Sequence, residues 1–418
     1  MLSVIYSCAA EDKFPDDEGI DNSEHEFLPE WEEGYLDIHQ ISTGRGSCTF
    51  MIMPDGTTMV VDVGDLGDAA GLTQEIMPAV PNPSKRPAEW VAKYIKNFSV
   101  PTGKEKLDYV MLTHFHPDHI GSVDRLALSQ SDRPYKLSGI TLLEELLNIN
   151  LLVDRGWPDY DYPTKERLRS ENGQTFENYE KYVNFRNANN KSIEKFKVGS
   201  KDQFKLLYKP SEYPEFEIHN IYSNGIVWTG DGEGTYELFP SVESLSSSEY
   251  PHENLCSNGI TLKYGAFDYF SGGDMLGVIP DNQPNWHDME TPISSLVGPM
   301  DVILANHHAY SDAMYSSFIQ NTEPQAFIIP VWDYYHPQPD PLARMLSKDL
   351  YPDHREIYAA GLVKNNEIRL GKPAENIKPA GHVVVRVFND GKQFQVYVLN
   401  DRSTQYEIIY KSDVFNSK

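Results

Sequence analysis

The sequence predicts an α+β domain. β-prone runs divided by tight-turn punctuation recur towards both ends of the chain, an amphipathic helix lies between two of them, and one compact apolar strand ends in a cluster of histidine and aspartate. Residues 35–41 alternate, with Leu36, Ile38 and Gln40 on one face and Tyr35, Asp37, His39 and Ile41 on the other. After the turn Gly44-Arg45-Gly46-Ser47, residues 49–53 and 58–63 form two runs joined by Pro54-Asp55-Gly56-Thr57, a hairpin signal. Residues 89–98 put Trp90, Val91, Tyr94, Ile95 and Phe98 on one helical face, and residues 107–112 follow as an apolar strand. Farther on, residues 260–264 and 267–270 turn at Gly265-Ala266 and run into Ser271-Gly272-Gly273-Asp274. Residues 302–305 lead into Asn306-His307-His308, and residues 326–331 are another buried strand. A last hairpin pairs residues 383–388 with 393–399 around Asn389-Asp390-Gly391.

These signals delimit one catalytic domain over residues 34–400, with an insertion expected within 134–249, where polar runs such as 167–190 interrupt short apolar pieces. Residues 1–33 are acidic from Ala9 onward and read as a flexible, solvated segment; residues 401–418 read as a C-terminal tail. Hydrophobic residues make up 40% of the 418, enough for a buried core. Against 36 basic residues stand 62 acidic ones, a formal net charge of -26. Such a field repels polyanions, so duplex nucleic acid is not an expected partner, and a small-molecule substrate is. Cys8, Cys48 and Cys256 form no disulfide framework and no Cys-x-x-Cys metal pair. No apolar run nears the ~20 residues that span a bilayer. The start, Met1-Leu2-Ser3-Val4-Ile5-Tyr6-Ser7-Cys8, resembles the end of a bacterial lipoprotein signal, without its basic region; an ordinary N-terminus is the alternative. Localisation therefore stays open between a cell-envelope lipoprotein and the cytoplasm, with membrane contact expected only through a lipidated Cys8.

Chemistry concentrates in Thr113-His114-Phe115-His116-Pro117-Asp118-His119. His114 and His116, two apart on a turn, can converge on one ion, while Asp118 and His119 can point to a second beside it. Imidazole and carboxylate suit zinc, and also iron or manganese. Packing alone does not explain four potential ligands within six residues at a strand end.

This run, followed by Ile120-Gly121, resembles the signature of the metallo-β-lactamase superfamily. The resemblance implies a four-layer αββα sandwich, a second supporting aspartate at Asp62, a carboxylate shared by two metals at Asp274, and a terminal histidine ligand at His307, with His308 behind it. Within the superfamily the pattern is nearest to the competence-protein (DNA-internalisation) hydrolase domains: Gly44-Arg45-Gly46, Asn254-Leu255-Cys256-Ser257 before Tyr264-Gly265, His307-His308, and His336-Pro337-Gln338-Pro339. Two departures affect substrate inference: Ala309-Tyr310 stands where Gly-Ser is usual, and Ser47 where Asp is usual. The third histidine of the first metal site has no clean counterpart; Asn254 occupies its register and His252 lies two residues upstream.

The expected metal ligands are His114, His116, Asp118, His119, Asp274 and His307, for two divalent ions, zinc first and manganese or iron as alternatives. Asp118 and His336 are the expected catalytic residues, His336 as general acid or substrate contact. Trp332, Tyr334 and Tyr335 lie close enough in sequence to wall the pocket. The implied activity is hydrolysis through a bridging hydroxide, of a small phosphodiester first. A lactam, lactone or thioester hydrolase is an alternative, and so is a non-hydrolytic diiron or binding protein on the same fold. The oligomeric state is not readable.

Overall fold

A computed structural model describes residues 25–67, 75–104, 106–124, 127–279 and 283–418. Cys8 and residues 9–24 of the acidic segment lie outside them. The described strands form two large sheets and a small two-stranded one. The first runs, edge to edge, through Ile408–Lys411, Gln393–Leu399, His382–Phe388, Leu36–Gln40, Thr49–Ile52, Thr58–Val61, Lys106–Met111, Asn148–Asp154 and Ser192–Lys195, with Phe415–Asn416 also paired to Gln393–Leu399. The second runs through Thr235–Glu237, Ile226–Trp228, Phe216–Ser223, Gly259–Tyr264, Phe267–Ser271, Val302–Leu304, Ala326–Pro330 and Glu356–Ala360.

Period-two alternation sends each strand's side chains to two cores. Met51, Met59, Val61, Tyr109 and Met111 of the first sheet pack against Ile260, Leu262, Tyr269, Val302, Leu304 and Ile328 of the second. Their neighbours Phe50, Ile52, Val60 and Val110 face outward, under Val91, Ile95, Leu143, Phe176 and Tyr179 of the helices Pro87–Ser99, Ile140–Leu146 and Lys165–Ala188. On the far side Phe270, Ile303, Phe327 and Ile329 are covered by Ile293, Phe318, Ile319 and Leu342 of Glu290–Val297, Ser316–Thr322 and Pro339–Leu346. The result is the expected αββα sandwich. Each fully buried Leu, Ile, Val, Met or Phe contributes roughly 1.5–3 kcal/mol, which makes three continuous cores the main force holding the layers. No described helix is long and apolar enough to cross a membrane.

Several boundaries differ from those expected. Leu36–Gln40 is buried on both faces because the Pro87–Ser99 helix covers the side that alternation left polar: His39 Nδ1 lies 3.0 Å from Tyr94 Oη. Residues 25–33 are mostly exposed, but two of them anchor the segment to the domain. Phe27 bridges Glu407, and the buried Trp31 donates from Nε1 to the Tyr35 carbonyl at 2.7 Å. The C-terminus is not a tail, since Ile408–Lys411 and Phe415–Asn416 are strands and Phe415 stacks on Phe394 at 4.8 Å. Much of 134–249 is regular sandwich: Asn148–Asp154 and Ser192–Lys195 extend the first sheet, and Phe216–Ser223 joins the second.

One close approach fixes the backbone around Asp118. Gly46, at φ +139°, and Gly64 flank the carbonyl of Asp118, and a Cβ on either would lie 2.2 Å from that oxygen. The gap lets Ser47 N donate to Asp118 O at 2.9 Å and Val63 N to His119 O at 2.7 Å, tying the histidine segment to two neighbouring loops. Gly46→Ala is therefore expected to lose about 3 kcal/mol of unfolding free energy. Gly103→Ala, at φ +67° with nothing within 4 Å, should lose about 1 kcal/mol. Urea unfolding of the two ion-free variants checks this, and equal losses would contradict it.

Candidate metal centre

Parallel pairing brings the ligand-bearing loops to one edge. Val61 lies opposite Met111, so Asp62 and Thr113 emerge side by side; Ser271 lies opposite Leu304, and Leu304 opposite Ile328, so the turns carrying Asp274, His308 and His336 emerge together. The edges of the two sheets are joined where Asn258 donates from its backbone N to Thr113 O at 2.9 Å and from Nδ2 to Leu112 O at 2.8 Å.

Two groups of ligand atoms result, each with its atoms within 4.8 Å of one another: Asp118, His119, Asp274 and His308, and His114, His116 and Asp274. Asp274 belongs to both. Its Oδ1 is 3.2 Å from His119 Nε2 and its Oδ2 is 3.6 Å from His114 Nε2. His116 Nδ1 lies 3.1 Å from His114 Nε2. His308 Nε2 is 3.2 Å from Asp118 Oδ2 and 3.3 Å from His119 Nε2.

The outer nitrogens of three rings are fixed by groups away from the cluster. His119 Nδ1 is 2.8 Å from Asp62 Oδ2, and the Pro330 carbonyl, which can only accept, is 3.0 Å from His308 Nδ1. Thr113 Oγ1 gives its proton to Asp62 Oδ2 at 2.8 Å and so accepts from His114 Nδ1 at 3.0 Å. In the neutral rings, each Nε2 lone pair then faces the cluster. Lone pairs converging on ionised carboxylates, in a place where His114, His119, Asp274 and His308 are almost wholly buried, repel one another unless a proton or a cation lies between them. The donor set fits divalent transition metals.

The electrostatics agree. Burial drives His114 well below the usual imidazole range, with the neighbouring His119 adding to it. Burial also pushes His119 down, but Asp274, Asp118 and Asp62 outweigh it and hold His119 well above that range. The carboxyls of Asp274 and Asp118 resist the upward push of burial, chiefly through His119, and stay well below the carboxylate range. The ion-free cluster thus keeps its carboxylates charged and protons on imidazole, and a metal ion must displace those protons.

The geometry departs from expectation at the histidine pair. His308, not His307, joins the group with Asp118 and His119. His307, His308 and Ala309 all have positive φ, 44°, 52° and 55°, and this tight reversal turns the second imidazole inward. His307 instead lies with Nδ1 2.6 Å from Asp312, and with Nε2 3.1 Å from Asn254 Nδ2 and 3.8 Å from Asp274 Oδ2. Burial lowers its pKa, but Asp274 and Asp312 outweigh that and hold it at about 9. Asn254 therefore adjoins His307, its Oδ1 buried without a hydrogen-bond partner, while His252 belongs to neither group and lies edge-on to His287 at 6.1 Å.

His336 belongs to neither group. It stacks on His308 at 4.6 Å and 19°, beside Trp332 at 4.9 Å, and burial holds it well below the imidazole range. Tyr335 packs on Tyr310 and Tyr334 along the same wall. Asp62 touches both Thr113 and His119. Sequence reasoning missed Asp312, and it missed Glu253, whose Oε1 accepts from Phe115 N at 2.8 Å. Its position directly before Asn254 was the only signal.

His308→Ala is expected to remove the ion held with Asp118 and His119, leaving about one per chain by elemental analysis, whereas His307→Ala should keep both. The reverse pattern would restore the ligand role to His307. Because protons must leave the imidazoles, uptake should weaken as pH falls from 8 to 6. Calorimetry in buffers of different ionisation enthalpy should register proton release; pH-independent uptake without it would contradict this.

No curated protein matches the chain. Among solved structures, CmlA from Streptomyces venezuelae, described as a diiron beta-hydroxylase, is 12% identical with a TM-score of 0.34, over 72% of this chain and 45% of that one. A mutant of the CmlA beta-hydroxylase gives 12% and 0.34 over 70% and 45%. This chain thus spans less than half the length of the hydroxylase chains. Residues 42–141, which run from the glycine turn through the His114–His119 cluster, match the Metallo-beta-lactamase superfamily. The chain contains a metallo-β-lactamase superfamily domain.

Proposed function

We propose that this chain is a metal-dependent hydrolase that uses two divalent ions, zinc or else manganese or iron, on a small phosphodiester. The reading rests above all on Asp274, whose two oxygens face two different groups of ligand atoms. His114 and His116 would hold one ion and Asp118, His119 and His308 the other, with Asp274 shared. Ions so held lower the pKa of a water towards neutrality and polarise the electrophilic oxygen.

The chain's own groups supply orientation. Asp118, 3.2 Å from His308 and 3.6 Å from His119, presents an ionised carboxylate that can accept a hydrogen bond and so orient the attacking nucleophile. His336 and Trp332 back His308 and fix its ring plane. The choice of phosphorus over carbonyl carbon follows the resemblance to competence-type hydrolases at Asn254-Leu255-Cys256-Ser257 and His336-Pro337-Gln338-Pro339. The net charge of -26 favours a small substrate over a long polyanion.

On one metal-loaded preparation, an activated aryl phosphodiester should be cleaved and a chromogenic cephalosporin opened little. The opposite ranking would replace the phosphodiesterase reading with a lactamase one, and iron-dependent consumption of dioxygen without cleavage of either would replace hydrolysis altogether. Asp274→Asn should lower metal retention and turnover together, by at least 10-fold each, whereas His336→Ala should lower turnover with both ions retained. Full metal content and activity in Asp274→Asn would remove the shared carboxylate from the mechanism.

A further inference from the structure

Arg155 and Glu253 form an ion pair whose side chains are each 1% exposed, outside both groups of ligand atoms. Arg155 Nε donates to Glu253 Oε1 at 2.8 Å and Nη2 to Oε2 at 2.6 Å. Its Nη1 donates to Asn224 Oδ1 at 2.8 Å and to Tyr162 O at 3.2 Å, and Asn224 Nδ2 returns a bond to Arg155 O at 2.7 Å. Asn172 Nδ2 adds a bond to Glu253 Oε2 at 3.1 Å, and the guanidinium lies 4.8 Å from the centre of the Phe115 ring. The remaining bond to Glu253 Oε1 comes from the backbone N of Phe115, the residue between His114 and His116.

A dry ion pair of this kind adds little net stability over well-packed apolar residues, because desolvation offsets the attraction. What an apolar pair cannot supply is an acceptor aimed at the Phe115 N–H, which would otherwise be a buried unsatisfied donor costing ~1–3 kcal/mol. The second group of ligand atoms is held by other means, namely Asp62 and the Pro330 carbonyl, and Thr113 Oγ1 fixes the His114 ring but not the peptide that follows it. We propose that Glu253, seated in the fold beside Arg155, is a positioning residue for the first group: its Oε1 acceptor clamps the peptide between His114 and His116, so that their imidazoles converge before an ion arrives. The inference rests on reading the cluster as a metal centre.

Two double variants separate the acceptor from the charge. Arg155→Met with Glu253→Gln keeps an acceptor for Phe115 N–H, and Arg155→Met with Glu253→Leu removes it. In stepwise cobalt(II) titration, with the sites told apart by anomalous diffraction, the leucine-bearing variant should bind 10- to 100-fold more weakly at His114/His116. Its affinity at Asp118/His119/His308 should stay within about 3-fold of wild type, as should both affinities of the glutamine-bearing variant. Two ions in the wild type, with the same first-site affinity in both double variants, would overturn the positioning role alone; fewer than two in the wild type would remove the metal reading with it. Hydrogen exchange on the ion-free wild type needs no variant to fold. The Phe115 amide should exchange at least about 100-fold more slowly than an unstructured amide, and exchange at the unstructured rate would overturn the proposal.

Discussion

Asp118 and Asp274 are ionised carboxylates held out of water between imidazoles where the edges of two sheets meet, and the architecture around them answers to that fact. Leaving such charges unpaired in a dry interior costs several kcal/mol each, so the cluster persists only with positive charge, as protons or metal ions, between its members. Asp62, Thr113 and the Pro330 carbonyl are placed to occupy the outer nitrogens of His119, His114 and His308, which leaves the inner nitrogens for that charge. The glycines at 46 and 64 leave room for the Asp118 carbonyl, and the three positive-φ residues from His307 to Ala309 turn His308 inward. Strained or crowded backbone recurs at the positions that aim ligands, where strain is expected to be retained.

Much of this was legible in the sequence, for reasons that can be named. The hairpins at residues 49–63, 260–270 and 383–399 combine β-prone alternation with turn residues, so local preference and final fold agree. The His114–His119 cluster was legible because its ligands are close in sequence and lie on one turn. Asp62 and Asp274 were found through family resemblance, and parallel pairing puts them at the same edge.

What was not legible depends on distant partners. Whether His307 or His308 points inward depends on backbone dihedrals that no periodicity reports. Arg155 and Glu253 are separated by 98 residues, and neither resembles a buried group until its partner is known. The strands at Ile408–Lys411 and Phe415–Asn416 are too short to show a period, and they form because Gln393–Leu399 offers a free edge. The helix Lys165–Ala188 gives a weak helical pattern, broken at Gly173, yet it buries Phe176, Tyr179 and Tyr182 against the first sheet. Part of the stretch expected to hold an insertion therefore belongs to the sandwich, through this helix and the strands beside it.

Shared use of Asp274 is the claim on which the metal centre, the proposed hydrolysis and the positioning role of Glu253 all depend. The most direct measurement is a crystal structure of the metal-loaded protein with anomalous data on both sides of the metal edge. Two peaks are expected, one within bonding distance of His114 and His116 and one within bonding distance of Asp118, His119 and His308, each touching a different oxygen of Asp274. A single peak, or two peaks of which only one contacts Asp274, would contradict it.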